Sequence, residues 1–228
     1  MEVRNIEQVY TMAYSALEAW PGFSSLKRLL QNNPTIVAFL AGGAVRDIIS
    51  GADKSIKDYD IFIDGDNLET LLNGLRQCGR VCKGPYGSPR WFPDKCPDKY
   101  ADFIPIKNYY NGLWQCEDIL DALNQTDITI NSIALSMTSQ LILDPQNGIR
   151  DIKRQAIRAV RFDYPDEIVF PACPMTRPSI LWNRINCLVK KTGFSPEPLT
   201  QKWLNDHIHY RDDENAFNRM FFSKGSYK

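Results

Sequence analysis

Histidine is nearly absent from this 228-residue chain. The two present, His207 and His209, alternate on a polar stretch, where an isolated HxH reads as solvated rather than metal-bound. The six cysteines (Cys78, Cys82, Cys96, Cys116, Cys173 and Cys187) never form a CxxC pair, so no common zinc pattern is met. The start, Met1-Glu-Val-Arg-Asn, lacks a secretory pattern, and reduced thiols are expected. No apolar run approaches the roughly 20 residues that a membrane span needs, so a cytoplasmic protein without a membrane partner is expected. Charge of one sign is also missing, because 27 Lys and Arg balance 27 Asp and Glu. A protein that coats nucleic acid is usually basic throughout, so any such contact must be local, or the substrate small. There is no internal repeat and no low-complexity segment. What is there is 43% hydrophobic residues, enough for one substantial core or a compact domain with a small helical annex.

The apolar spacing of Ile6, Val9, Tyr10, Ala13, Leu17 and Trp20 predicts a helix within residues 5–32, interrupted at Pro21-Gly22 and stopped at Asn32-Asn33-Pro34. Residues 35–40 form an apolar run of strand length. Gly42-Gly43 follows, then a short helix over 44–51 closed by glycine. A second strand is expected over 57–63 and a helix over 68–78. Glycines and prolines break 80–106 into hairpins. Residues 119–123 read as helix, 128–135 as the opening of another helix, 141–144 as a short strand and 149–160 as a basic helix. Four prolines punctuate a connector from Pro165 to Pro178. Helices are then expected over 179–191 and 200–222. Mixed strands and helices followed by helices alone imply a head over 1–160 and a short helical segment over 161–228.

Leu40-Ala-Gly-Gly-Ala-Val-Arg-Asp47 leads, past Gly51, to Asp58-Tyr-Asp60. Two glycines after a buried strand let the backbone approach a ligand with no Cβ in the way. The helix that starts there offers free N–H groups to a phosphate. Asp58 and Asp60 stand two apart on a predicted strand, so both carboxylates project from one face. Such a pair suits Mg²⁺, which takes carboxylate oxygens together with substrate phosphates.

GGxVRD, a glycine four residues on, and then DxD resembles the signature of the class II nucleotidyltransferases, which include bacterial poly(A) polymerases and CCA-adding tRNA nucleotidyltransferases. Gly84-Pro-Tyr-Gly-Ser88 is similar to that family's glycine-aromatic turn, and Lys99-Tyr-Ala-Asp-Phe-Ile-Pro-Ile106 to the strand bearing its third carboxylate, here Asp102 with Asp98 as the fallback. Asp127-Ile-Thr-Ile-Asn131 resembles the DFTIN motif, although Asp127 also reads as a helix cap. Leu143-Asp-Pro-Gln-Asn-Gly-Ile-Arg-Asp151 and Ile157-Arg-Ala-Val160 continue the match. The resemblance implies an α+β, polymerase-beta-like head, with a central mixed sheet, flanking helices and a short helical neck. It further implies two Mg²⁺ ions on Asp58, Asp60 and Asp102, an NTP or dNTP held by Gly42, Gly43, Arg46, Asp127 and Asn131, and transfer of NMP to a hydroxyl with release of pyrophosphate. The expected acceptor is a nucleic-acid 3′ end.

Three departures limit the carry-over. The family's two arginines before DFTIN are here Gln125-Thr126. Its EDxxR base-reading motif is here Met175-Thr-Arg-Pro-Ser-Ile180, with Arg177 and Arg184 nearby. After a neck-like stretch ending in Gly193-Phe194, too little chain follows for a tRNA-measuring body. Arg150, Lys153, Arg154, Arg158 and Arg161 cluster on one predicted helix that could track a nucleic-acid backbone or be simply solvated. Trp91, Phe92, Tyr109, Tyr110 and Trp114 could stack a base, or fill the core. Three readings stay open at this point. One is a terminal transferase, alone, as a homo-oligomer or with a partner protein replacing the body. A second is transfer to a protein (Ser226-Tyr227 included) or self-primed oligonucleotide synthesis in a toxin or phage-defence setting. The third is a non-catalytic binding or assembly module.

Overall fold

Strand β1 (Val37–Ala41) is built from the apolar run after Pro34, and all but its first residue is buried. In this computed structural model residues 6–52, 56–84, 87–94, 96, 98–110, 113–168 and 174–222 are described. Two helices precede β1, α1 (Ile6–Glu18) and α2 (Phe23–Gln31), separated at Pro21-Gly22 as the sequence implied. Helix α3 (Gly43–Ser50) follows β1 directly and ends on Gly51, whose φ of 80° suits glycine. Then come β2 (Asp58–Asp64), α4 (Leu68–Arg76) and the strands β3 (Gly79–Lys83), β4 (Pro89–Pro93) and β5 (Tyr100–Pro105).

Helix α5 (Ile119–Asn124) is capped by Asp118, whose side chain accepts from the Asp121 amide. It is followed by β6 (Ala134–Ser136) and β7 (Ile142–Leu143). The seven strands form one mixed sheet in the order β3-β4-β5-β2-β1-β6-β7. Only β2 and β5 run parallel; the other neighbours are antiparallel.

The alternation of side chains across β1 and β2 gives the sheet two covered faces. Ala38, Leu40, Tyr59, Ile61 and Ile63 face a large core shared with α1 to α4, in which Trp20 stacks on Tyr59 with ring centroids 4.3 Å apart. Phe39, Ala41 and Phe62 face a smaller cluster under α5. Asp58 and Asp60 share the parity of Phe62, so they lie on the lightly covered face.

Two expected helices are not formed as such. Residues 128–135 make a one-turn 3₁₀ helix (Thr129–Asn131) and then β6. The run is rich in β-branched residues, is wholly buried, and its end pairs with β1 (Leu40 opposite Leu135), so sheet pairing wins over the apolar periodicity. The basic helix over 149–160 is also shorter. Helix α6 (Gly148–Lys153) ends where Gln155 takes a φ of 54°, and β8 (Ala156–Ile157) follows. The five cations therefore do not share a helix. Arg158 turns onto Asp151, and Arg161 onto Asp163.

Helix α7 (Arg177–Thr192) starts at Thr176, whose hydroxyl accepts from the Ser179 amide, with Pro178 in its first turn and Gly193 closing it. Strand β9 (Ser195–Pro196) pairs parallel with β8, so the chain after α7 is stitched back to the head. Helices α8 (Pro198–Asp206) and α9 (Glu214–Phe222) follow, joined by a 3₁₀ segment. Cys78, Cys82, Cys96, Cys116 and Cys187 are free thiols; Cys173 lies outside the described residues. Among the described residues no helix is long and apolar enough to cross a membrane.

Candidate active site

Asp58 and Asp60 project from the start of β2 on the face away from the main core, with Asp58 exposed and Asp60 partly so. Asp102 on β5 is the direct neighbour of Asp60 in the parallel register, so three carboxylates meet on one side of the sheet. Burial, then the charges of Asp58 and Asp102, push the Asp60 carboxyl up to about 7. Like charges this close are costly unless a cation joins them. Hard oxygen donors on one side of the sheet, with Asp60 lining the cleft, fit a magnesium-type ion. Among the described residues, however, no group of three or more Asp, Glu, His or Cys converges on one metal position. Asp102 is engaged by Arg90 through both oxygens: Nε donates to Oδ1 and Nη2 to Oδ2, each at 2.6 Å. Asp98, the fallback, sits on an exposed turn ahead of β5.

The Gly-Gly turn crosses the sheet beside Asp60. Gly42 has φ 74°, and a Cβ there would stand 3.2 Å from Asp60 Oδ2. Arg46 lies beneath this turn rather than in the cleft. It is buried, donates from Nε to Asp47 Oδ1 at 2.8 Å and from Nη1 to Asn131 Oδ1 at 2.7 Å. Lys191 of α7 reaches the other Asp47 oxygen at 3.0 Å. Arg46 and Asn131 thus tie α3 to the turn before β6, and Asn131 still reaches the cleft wall.

Asp127 does not cap a helix. The residue before the 3₁₀ turn is Ile128, which makes no side-chain cap. The Asp127 carboxylate instead meets Arg184 Nε of α7 at 2.8 Å. Of the two residues that stand where the resembled family has arginines, Gln125 is buried and its Nε2 donates to the Trp114 carbonyl, whereas Thr126 lines the cavity with its Oγ1 donating to the Leu123 carbonyl. The cations on this wall come from α7. Arg177 and Arg184 are two turns apart on one face, and both line a cavity of about 700 Å³ whose floor is Gly42, Gly43 and Asp60. Burial lowers the Arg177 pKa, as expected for a guanidinium drawn out of water. Arg184 also lies over the Phe221 ring, 5.0 Å from its centroid, and its charge pulls the Asp60 pKa down.

Of the aromatics singled out by sequence, Tyr109 and Tyr110 line the cavity, Trp91 is core, Phe92 packs between Arg80 and Tyr100, and Trp114 lies under Arg161. Pro85 and Tyr86 of the glycine-aromatic turn, and Ser226-Tyr227, lie outside the described residues. Arg90 was not foreseen. It is 12 residues from Asp102 in sequence, and only the β4–β5 register sets the two opposite each other.

The glycine turn, the DxD pair and the carboxylate on the adjacent parallel strand thus sit together on one mixed sheet. The family described as Poly A polymerase head domain matches residues 101–158. The chain is similar to a CCA-adding enzyme of Francisella tularensis subsp. novicida, 30% identical over 53% of this chain and 32% of that protein. It is likewise similar to one of Bacillus pumilus, 27% identical over 69% of this chain and 37% of that protein. The chain thus spans about a third of the length of these relatives. A solved CCA-adding enzyme with CTP superposes with a TM-score of 0.69 at 18% identity, over 96% of this chain and 51% of that one. The Thermotoga maritima CCA-adding enzyme complexed with tRNA does so with a TM-score of 0.67 at 18% identity, over 99% and 52%. The α+β fold expected from the motifs is therefore that of these enzymes.

Proposed function

We propose that this chain transfers NMP from a nucleoside triphosphate to a nucleic-acid 3′ hydroxyl, without a template, and releases pyrophosphate. The observation that carries this reading is the placement of Asp60, which shares a strand face with Asp58, in a cavity that the Gly42-Gly43 turn and the arginines of α7 also line. Asp58 and Asp60 hold the magnesium, and Asp102 stands beside them on β5 as the third carboxylate of the expected set. Bound there, Mg²⁺ supplies charge neutralisation for the attacking oxygen and the leaving phosphate.

The residues do the positioning. Gly42 and Gly43 let the triphosphate approach the start of α3, whose N–H groups favour negative charge. Arg46 and Asn131 fix that turn from below. Arg184, released from Asp127 or shared with it, offers the cation that Gln125-Thr126 cannot. Arg177 is a donor-only group beside it. The apolar Ile180 and Leu181 face the same cavity and can cover the flat face of a base. Catalysis in such a site is mostly positioning and electrostatics. The relatives are named for CCA addition to tRNA; tRNA is accordingly the first acceptor to try.

The test is nucleotide incorporation with Mg²⁺ and one labelled NTP or dNTP at a time. Acceptors are tRNA, single-stranded RNA, single-stranded DNA or none, and the control is Asp58→Asn/Asp60→Asn. Label extending an added strand, and lost in the control, is the expected result. Label on the protein, or in short products made without an acceptor, moves the acceptor from nucleic acid to the chain itself or to a free nucleotide. No incorporation with any acceptor, while Mn²⁺ and nucleotide still bind, leaves a binding module.

A further inference from the structure

Arg90 and Asp102 form an ion pair beside the proposed metal position. The two residues face each other across β4 and β5, on the same side of the sheet as Asp60. The Arg90 fork engages both carboxylate oxygens at 2.6 Å. Its guanidinium is itself pinned, lying 3.9 Å over the Tyr100 ring, and the residue is only 4% exposed. Gly84 closes the other side, where a Cβ would stand 3.5 Å from Asp102 Oδ1 and 3.8 Å from Arg90 Nε. A planar arginine–carboxylate fork between two strands, stacked on a ring, is a rigid unit rather than a passing surface contact. Although Asp60 and Asp102 are strand neighbours, the three carboxylates do not converge on one position.

We propose that Arg90 is a positioning residue that removes Asp102 from the metal's ligand set, so that protein ligation comes from Asp58 and Asp60 alone. This rests on the reading that Asp58 and Asp60 hold magnesium. An ion with two carboxylates and water is weakly held, because magnesium demands a full octahedron and gives up water reluctantly. Triphosphate oxygens complete the shell, so the ion enters with its nucleotide rather than ahead of it. The Arg90–Asp102 pair then acts as a neutral wall beside the ion, in place of a third negative ligand.

The test is Mn²⁺ binding to the full chain without nucleotide, followed by the electron paramagnetic resonance of free Mn²⁺. Wild type is expected to bind measurably but weakly, and Asp58→Asn/Asp60→Asn to lose that binding. Arg90→Met/Asp102→Leu removes the pair together, a replacement that buried ion pairs often tolerate. Its Mn²⁺ affinity is expected to stay within about twofold of wild type, whereas loss of a true ligand would lower it by about tenfold or more. Arg90→Gln is the second variant, needed if the double replacement does not melt cooperatively. Freeing Asp102 beside Asp60 is expected to raise the affinity by about tenfold, as expected for an added close carboxylate. A tenfold loss in the double variant, or an unchanged affinity in Arg90→Gln, overturns the proposal while leaving Asp58 and Asp60 in place. Binding that survives Asp58→Asn/Asp60→Asn overturns the underlying reading and this one with it.

Discussion

Gly42 meets two demands at once. Its φ of 74° and ψ of −142° lie where side chains are not tolerated, and its missing Cβ leaves the Asp60 carboxylate its place. Gly42→Ala is expected to destabilise the protein by about 1–3 kcal/mol, the usual cost of such backbone strain, read from urea unfolding. The same change should weaken metal binding, because the added methyl stands 3.2 Å from Asp60 Oδ2. Asp60 itself gives a pH signature in the metal-free protein. Its folded pKa of about 7 lies above the ordinary carboxyl value of 3.8. The folded state therefore prefers the protonated form, and this group's stabilising contribution is complete below the ordinary value and lost as pH rises through 7. With EDTA present, Asp60→Asn, which imitates the protonated state, should melt above wild type at pH 8. The gap should narrow towards pH 5. A gap that widens on acidification would contradict the assignment.

The elements divide by how their contacts were encoded. The Gly-Gly turn, α3 with its closing glycine, and the DxD strand were legible because each is a local pattern in which residue type and spacing act within a few positions. Residues 128–135 were not, because a short apolar run has the same periodicity whether it turns as a helix or joins a sheet. Pairing with β1, about 95 positions earlier, decided it. Arg90 was illegible as a site residue for a similar reason, and Arg177 and Arg184 could be named as neighbours of the base-reading position but not placed. Strand register brings Arg90 to Asp102, and the docking of α7 brings Arg184 to Asp127, while no spacing within the chain announces either. Helix α6 shows the opposite case. Asp144 of the Asp-Pro stretch accepts from the Gly148 and Ile149 amides at 2.6 and 3.0 Å, ending the family-like motif in a helix start. Asp144→Ala should cost about 1–2 kcal/mol, the usual worth of such a cap, measured by thermal or urea unfolding. Gly148 needs its small size here as well, since a Cβ would lie 2.1 Å from the Thr129 carbonyl oxygen.

At the scale of the whole molecule, the boundary that composition suggested near residue 160 is not a boundary in the core. Leu181, Trp182, Ile185 and Leu188 of α7 and Phe194 beyond it belong to the same buried cluster as Leu40, Ile61 and Ile133 of the head. Two ion pairs, Arg184 with Asp127 and Lys191 with Asp47, cross the same junction, and β9 adds backbone pairing to β8. The neck helix is therefore a wall of the site and a part of the core at once. Its docking both packs Ile185 and carries Arg184 to the cavity. The full chain should accordingly unfold in a single cooperative step that far- and near-ultraviolet signals follow together. Ile185→Ala should lower that stability by about 2–5 kcal/mol, because the side chain is fully buried. The fragment of residues 1–160 exposes the head face that α7 covers and loses both ion pairs, so it should show no cooperative melt. A cooperative melt of that fragment would mean that the head carries its own core and that α7 is an accessory to the site alone. In that event Ile185→Ala should alter nucleotide binding while barely changing the melting temperature.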